Sequence, residues 1–105
     1  MKQGIVYKKD IVAGIVWEDE NGFGFQYNND YLKNPKYGAI SKTLPLREKK
    51  FTDQTILPFF DGLIPEGWLL QIAIDNWKLN SRDRMGLLLT LCQDCIGDVR
   101  IINEK

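Results

Sequence analysis

Residues 57–77 read LPFFDGLIPEGWLLQIAIDNW. Pro58 opens the stretch beside two phenylalanines, Asp61-Gly62 marks a tight turn, and Leu63-Ile64 leads to a second turn at Pro65-Glu66-Gly67. The apolar spacing beyond Gly67 predicts a helix. On it Gln71, Asp75 and Lys78 gather in a narrow polar stripe, while Trp68, Leu69, Leu70, Ile72, Ala73, Ile74 and Trp77 fill the remainder, interrupted only by Asn76. That arc is about twice what a surface helix needs to cover its own core. Two readings stand. Either part of the arc faces another chain, with Trp68 as an anchor after a flexible Gly67, or the helix is sandwiched between a sheet and a second helix and Trp68 caps the core. The stretch is read as core and contact surface at once.

Upstream, Ile5-Val6-Tyr7 reads as a strand, Lys8-Lys9-Asp10 as a tight turn, and residues 11–17 (IVAGIVW) as the antiparallel partner. Gly14 inside that run predicts a bulge or a close backbone approach. Glu18-Asp19-Glu20-Asn21-Gly22 reads as a second turn with Asn21-Gly22 as its hairpin signal, and Phe23-Gly24-Phe25-Gln26-Tyr27 then puts three rings on one face of a third strand. The first quarter of the chain is thus a β-meander. Asn28-Asn29-Asp30 breaks it, Asn34-Pro35-Lys36 turns the chain again, and Ala39-Ile40-Ser41 is expected as one more short strand. Leu44 precedes a proline and is extended, and residues 47–51 read as a solvated charged loop.

Downstream, Asn80-Ser81 offers an N-cap to a second helix over residues 82–93, with Asp83 in the first turn at the positive end of the helix dipole. Met85, Leu88, Leu89 and Cys92 share one face of it. Gly97 ends this region, and Val99-Arg100-Ile101-Ile102 makes the last strand. The fold class is α+β: a small antiparallel sheet, a meander at its start, packed with two helices in one domain over residues 1–105.

Composition narrows the function. Fourteen basic and fourteen acidic residues cancel, which removes the electrostatic footprint of sequence-independent nucleic-acid binding and any strong pull towards an anionic membrane. No apolar run approaches the ~20 residues that span a bilayer, and the N-terminus alternates instead of presenting a signal-peptide core. Two cysteines without a signal imply a reducing, cytoplasmic setting. The absence of histidine removes the commonest general base and metal ligand together.

The motifs point the same way. Gly22-Phe23-Gly24-Phe25 looks like the base-stacking strand of cold-shock proteins, but Glu18, Asp19 and Glu20 beside it repel phosphate, and core phenylalanines are the expectation. Cys92-Gln93-Asp94-Cys95 supplies only two ligands to a metal, and it falls at a helix C-terminus, where the dipole opposes thiolate. Asp61 and Glu66 are explained by turn chemistry and the start of a helix. Glycine-rich phosphate loops and the kinase catalytic-loop motif are missing from the sequence. Neither catalysis, a cofactor nor a metal is expected of this chain.

Several pieces together resemble the N-terminal subdomain of HipA-family toxin kinases. They are Gly14, Phe25-Gln26-Tyr27 followed by Tyr31-Leu32, Ile40-Ser41 leading to Leu44-Pro45-Leu46, and above all the runs PFFDGLIPEG (residues 58–67) and LLTLCQDCIGDV (residues 88–99). In the family these two read roughly as FFxxLLPEG and as a leucine pair leading into GxDCxGA. Cys92 stands where the family often has glycine, and Asp98 where it often has alanine. A kinase of this family continues far beyond residue 105, so the chain further resembles the separately encoded, HipS-type small chain of three-component HipBST toxin–antitoxin systems.

The resemblance implies an antitoxin that binds and inhibits a HipA-like serine/threonine kinase chain, in a ternary complex with a DNA-binding, HipB-like antitoxin chain. Direct contact with nucleic acid or membrane is not implied. Phe59, Phe60, Asp61, Gly62, Leu63, Pro65, Glu66, Gly67 and Trp68 are then the expected kinase-contact residues, with Trp68 blocking the kinase cleft. Two alternatives are a structural subunit that completes the kinase and recruits the DNA-binding chain without inhibiting it, and a small cold-shock-like nucleic-acid binder.

Overall fold

Strands β1 (Lys2–Lys8), β2 (Ile11–Asp19) and β3 (Gly22–Tyr27) form the meander that alternation and turn residues predict. The computed structural model describes residues 2–64, 71–72, 74–75, 83–91 and 98–104. Two further strands complete the sheet: β4 (Phe51–Asp53) pairs with β3 at one edge, and β5 (Val99–Glu104) pairs with β1 at the other. The order is β4-β3-β2-β1-β5, and every neighbouring pair is antiparallel. Among the described residues no helix is long and apolar enough to cross a membrane.

Gly14 produces both effects expected of it. The register slips between Val6 and Tyr7, so that Val6 pairs with Gly14, Tyr7 pairs with Val12, and Ala13 bulges. A Cβ on Gly14 would stand 2.2 Å from the Gln26 carbonyl oxygen. The next turn falls inside the expected Glu18–Gly22 stretch. Asp19 pairs with Gly22, leaving Glu20-Asn21 as the loop, and the Asn21 N–H donates to Asp19 Oδ1 at 2.9 Å. Gly22 sits at φ +125°, where a side chain is strained and would also strike the Asp53 carbonyl of β4.

Two expectations for the middle of the chain are corrected. Residues 39–41 form no strand; an isolated bridge joins Ser41 to Leu44 instead. The reason is the buried Tyr27 hydroxyl, which donates to the Leu44 carbonyl and accepts from the Ile40 N–H at 3.0 Å. One side chain thus satisfies backbone groups that a ladder would otherwise serve. Burial raises the Tyr27 pKa, with the Ile40 hydrogen bond pulling the other way.

The charged loop, in turn, ends in β4. Phe51 is buried, Arg47 lies 3.7 Å over its ring, and the same guanidinium donates to the Lys49 and Lys50 carbonyls. Packing of one ring converts the end of a polar loop into an edge strand.

The core lies on the face of the sheet that carries Val6, Val16, Phe25, Tyr27 and Ile101. Phe25 is its hub, with ring centroids at 4.9 Å from Tyr27, 5.4 Å from Phe60 and 6.2 Å from Phe51. It has no exposed surface, and Phe23 packs against the same cluster. These rings form the core, as the acidic hairpin led us to expect, and are not a stacking platform. Helix α1 (Asn29–Leu32), capped by Asn28, adds the buried Tyr31, stacked on Tyr27 at 5.7 Å. A 3-10 turn (Pro35–Tyr37) follows where Asn34-Pro35 predicts a turn.

Helix α2 (Pro58–Asp61) and helix α3 (Arg84–Leu91) close the core. Met85, Leu88 and Leu89 are buried as expected; Leu87 is buried too, so α3 is enclosed over more than one stripe. Its start is shorter than expected. Asp83 is the N-cap itself: its carbonyl accepts from the Leu87 N–H, and its Oδ1 accepts from the Gly86 N–H at 3.0 Å. Lys2 donates to the other carboxylate oxygen, tying the helix start to β1. The Asn80-Ser81 cap and Cys92 lie outside the described residues.

Two outcomes test this packing. Phe25→Ala should cost about 3–5 kcal/mol, seen as a lower urea midpoint. Asp83→Ala should cost about 0.5–2 kcal/mol. The Asp83 carboxyl is raised by burial but lowered further by hydrogen bonds from Lys2 and the Gly86 N–H and by the Lys2 charge, for a net downward shift. Its stabilisation is therefore present above the unfolded value of about 4 and drains away as pH falls through the lower folded value. The gap in stability between wild type and Asp83→Ala should close in acid unfolding below about pH 4.

Candidate interaction surface

Leu57 is buried and extended (φ −61°, ψ 137°), and Pro58 follows at the first helical position, where its missing N–H costs nothing. This starts α2. The expected Asp61-Gly62 turn is present: Gly62 is the C-cap of α2 in ordinary right-handed geometry (φ −67°), the Leu63 N–H closes the turn by donating to the Phe60 carbonyl, and the Ile64 N–H donates to the Asp61 carbonyl. The winding sends the side chains of this stretch in two directions. Phe60 and Ile64 enter the core, whereas Phe59 and Leu63 are half-buried and Gly62 is exposed. Phe59 stands edge-on to Phe60 at 5.2 Å. Among the described residues a Cβ on Gly62 would meet nothing nearer than 3.5 Å, so they leave room there for a side chain.

Asp61 has a partner that local sequence does not disclose. Arg84, at the start of α3, donates Nε to Asp61 Oδ1 at 2.8 Å, and Nη2 reaches the same oxygen. Both side chains are partly exposed, so the pair contributes at most about 1 kcal/mol. Its effect is positional: it holds the end of α2 against the start of α3.

Of the nine expected contact residues, Phe59, Asp61, Gly62 and Leu63 therefore share one surface, and Phe60 belongs to the core. Pro65, Glu66, Gly67 and Trp68 lie outside the described residues, as does the Cys92–Cys95 pair. Of the long helix expected after Gly67, residues 71, 72, 74 and 75 are helical. Gln71 Nε2 donates to Asp75 Oδ1 at 3.0 Å along the expected polar stripe. Ile74 packs against the core, whereas Ile72 is 45% exposed. Apolar side chains thus leave this helix both towards the core and away from it.

The chain matches the HipA N-terminal domain family over residues 4–102. It is similar to the solved N-terminal domain of HipA toxin, with a TM-score of 0.76, 30% identity, and coverage of 100% of this chain and 94% of that one. An uncharacterized protein of Haemophilus influenzae is 31% identical over 105 residues, which is all of this chain and 95% of that protein. The Sinorhizobium fredii protein Y4mE, named as a kinase, is 27% identical over 94 residues, and the match spans only 22% of its length. Full-length agreement in sequence and in fold leads to one conclusion: this chain belongs to the HipA N-terminal domain family.

Proposed function

We propose that this chain is an antitoxin-type regulator that binds and inhibits a HipA-like serine/threonine kinase chain, with no catalysis of its own. One observation carries the proposal. The same domain fills nearly the whole of the Haemophilus relative but about a fifth of the kinase-named Y4mE. A unit found both inside a kinase-named chain and as almost all of a short one is suited to docking where the fused copy would sit. The match is to the N-terminal domain of the HipA toxin, outside its catalytic part.

The surface around α2 is the proposed kinase contact. Phe59 and Leu63 supply half-exposed apolar area, Gly62 an open point of close approach, and Asp61 a carboxylate fixed by Arg84. Pro65, Glu66 and Gly67 continue from Ile64, and Trp68 follows as the bulky group that enters the kinase cleft and blocks substrate or lobe closure. A DNA-binding, HipB-like chain completes the assembly, which operates in the cytoplasm. The occurrence of the domain within Y4mE also favours a second reading, a structural subunit that completes the kinase and recruits the DNA-binding chain without inhibiting it.

Co-expression with the HipA-like kinase, scored by growth and by kinase autophosphorylation, separates the two. Under the inhibitor reading wild type restores growth, and Trp68→Ala binds the kinase but loses at least tenfold in inhibition. Growth arrest despite a co-purifying complex leaves the structural-subunit reading. Gly62→Arg places bulk in open space, so it should keep the fold and weaken the complex at least tenfold; unchanged affinity would move the contact away from α2.

A further inference from the structure

The sheet has a second face. Strand register places Arg100, Tyr7 and Val12 in one row, Ile102, Ile5 and Ile15 in the next, and Gln3, Trp17 and Gly24 in a third. None of these apolar side chains belongs to the core cluster or packs against it. Ile15 is 40% exposed, and Ile5, Tyr7, Val12, Trp17 and Ile102 are half-buried. The Trp17 ring lies flat over Gly24, where a Cβ would come within 2.3 Å of it, so the neighbouring strand holds the ring down. A depression of about 430 Å³ runs over Ile5, Ile15 and Trp17.

Charge on the sheet is segregated although the chain is neutral. The end at the β2–β3 turn carries Glu18, Asp19 and Glu20, with Asp53 beside them and Lys2 paired to Glu18 in the strand register; the opposite end carries Lys8, Lys9 and Arg100, with Asp10 and Asp98 among them. Arg100 stacks 4.9 Å over Tyr7, its Nη2 is 3.9 Å from Asp10, and its buried Nε–H has no acceptor among the described residues.

We propose that this outer face is a second docking surface, which takes one amphipathic helix of the kinase chain, laid along the strands with its N-terminus over Asp19 and Glu20 and its C-terminus over Arg100. This rests on the kinase-partner reading. Size selects the occupant. The three rows measure about 10 Å across the strands and about 14 Å along them, the width of one helix and the length of two to three turns. That area falls far short of the ~800 Å² per partner of a stand-alone dimer, so it suits an added contact of a partner already held at α2. Charge selects the direction. The positive helix N-terminus meets the acidic end, and the last carbonyls meet the exposed part of the Arg100 guanidinium.

The test uses the purified complex with the HipA-like kinase. A benzophenone amino acid in place of Ile15 should cross-link to a single kinase peptide that is apolar on one helical face. Ile15→Glu should raise Kd at least tenfold while the isolated chain keeps its thermal midpoint, and Arg100→Glu, at the sheet edge, should weaken binding severalfold if Ile15→Glu disturbs folding. A complex that forms normally with both variants, with no cross-link from position 15, overturns the outer-face site and leaves the α2 contact standing. A cross-link to a second copy of this chain makes the face a homodimer contact and overturns it equally. If wild type forms no complex with the kinase, the kinase-partner reading itself falls, and this inference with it.

Discussion

The fold depends on the closeness of α3 to β1. A Cβ on Gly4 would stand 2.5 Å from Leu89 Cδ2 and 2.9 Å from Ile101 Cγ2, so the space next to a missing side chain is filled by the helix and by the last strand. With α3 seated there, Met85, Leu87 and Leu88 cover the inner face, and β5 is delivered to the open edge of β1. Asp83 reinforces the placement, because its carboxylate caps α3 and accepts from Lys2 of β1. Substituting Gly4 would push against the helix and a central pairing at once.

Much of this was legible in the sequence, and the reason is locality. The meander is written in period-two alternation and turn residues a few positions apart, and the core role of Phe25 follows from the acidic residues beside it. What escaped the sequence depends on distant partners. The Tyr27 hydroxyl serves backbone groups up to 17 residues away, and Arg84 meets Asp61 across 23 residues. Asp61-Gly62 turns the chain as its residue types predict; what local sequence leaves out is that this turn closes a short helix started at Pro58. Likewise the charges of residues 47–50 speak for a loop until Phe51 finds the aromatic cluster.

Net charge illustrates a related limit. A sum of zero argues against a nucleic-acid footprint, but a sum has no geometry. Antiparallel pairing puts the two turns that flank β2 at opposite ends of the sheet, one rich in carboxylates and the other in lysines. The polarity becomes visible only once the register is known. It favours recognition of an oriented partner over attraction to any charged surface.

The pairing of β1 with β5 also has a consequence in time. Gln3 lies opposite Glu104, so the sheet joins residues about a hundred positions apart, and closing such a loop is entropically costly and slow. Until residue 104 has been made, β1 has a bare edge and half of the α3 seat is missing. A nascent chain therefore has no partly folded stage with the full helix seat before β5 emerges.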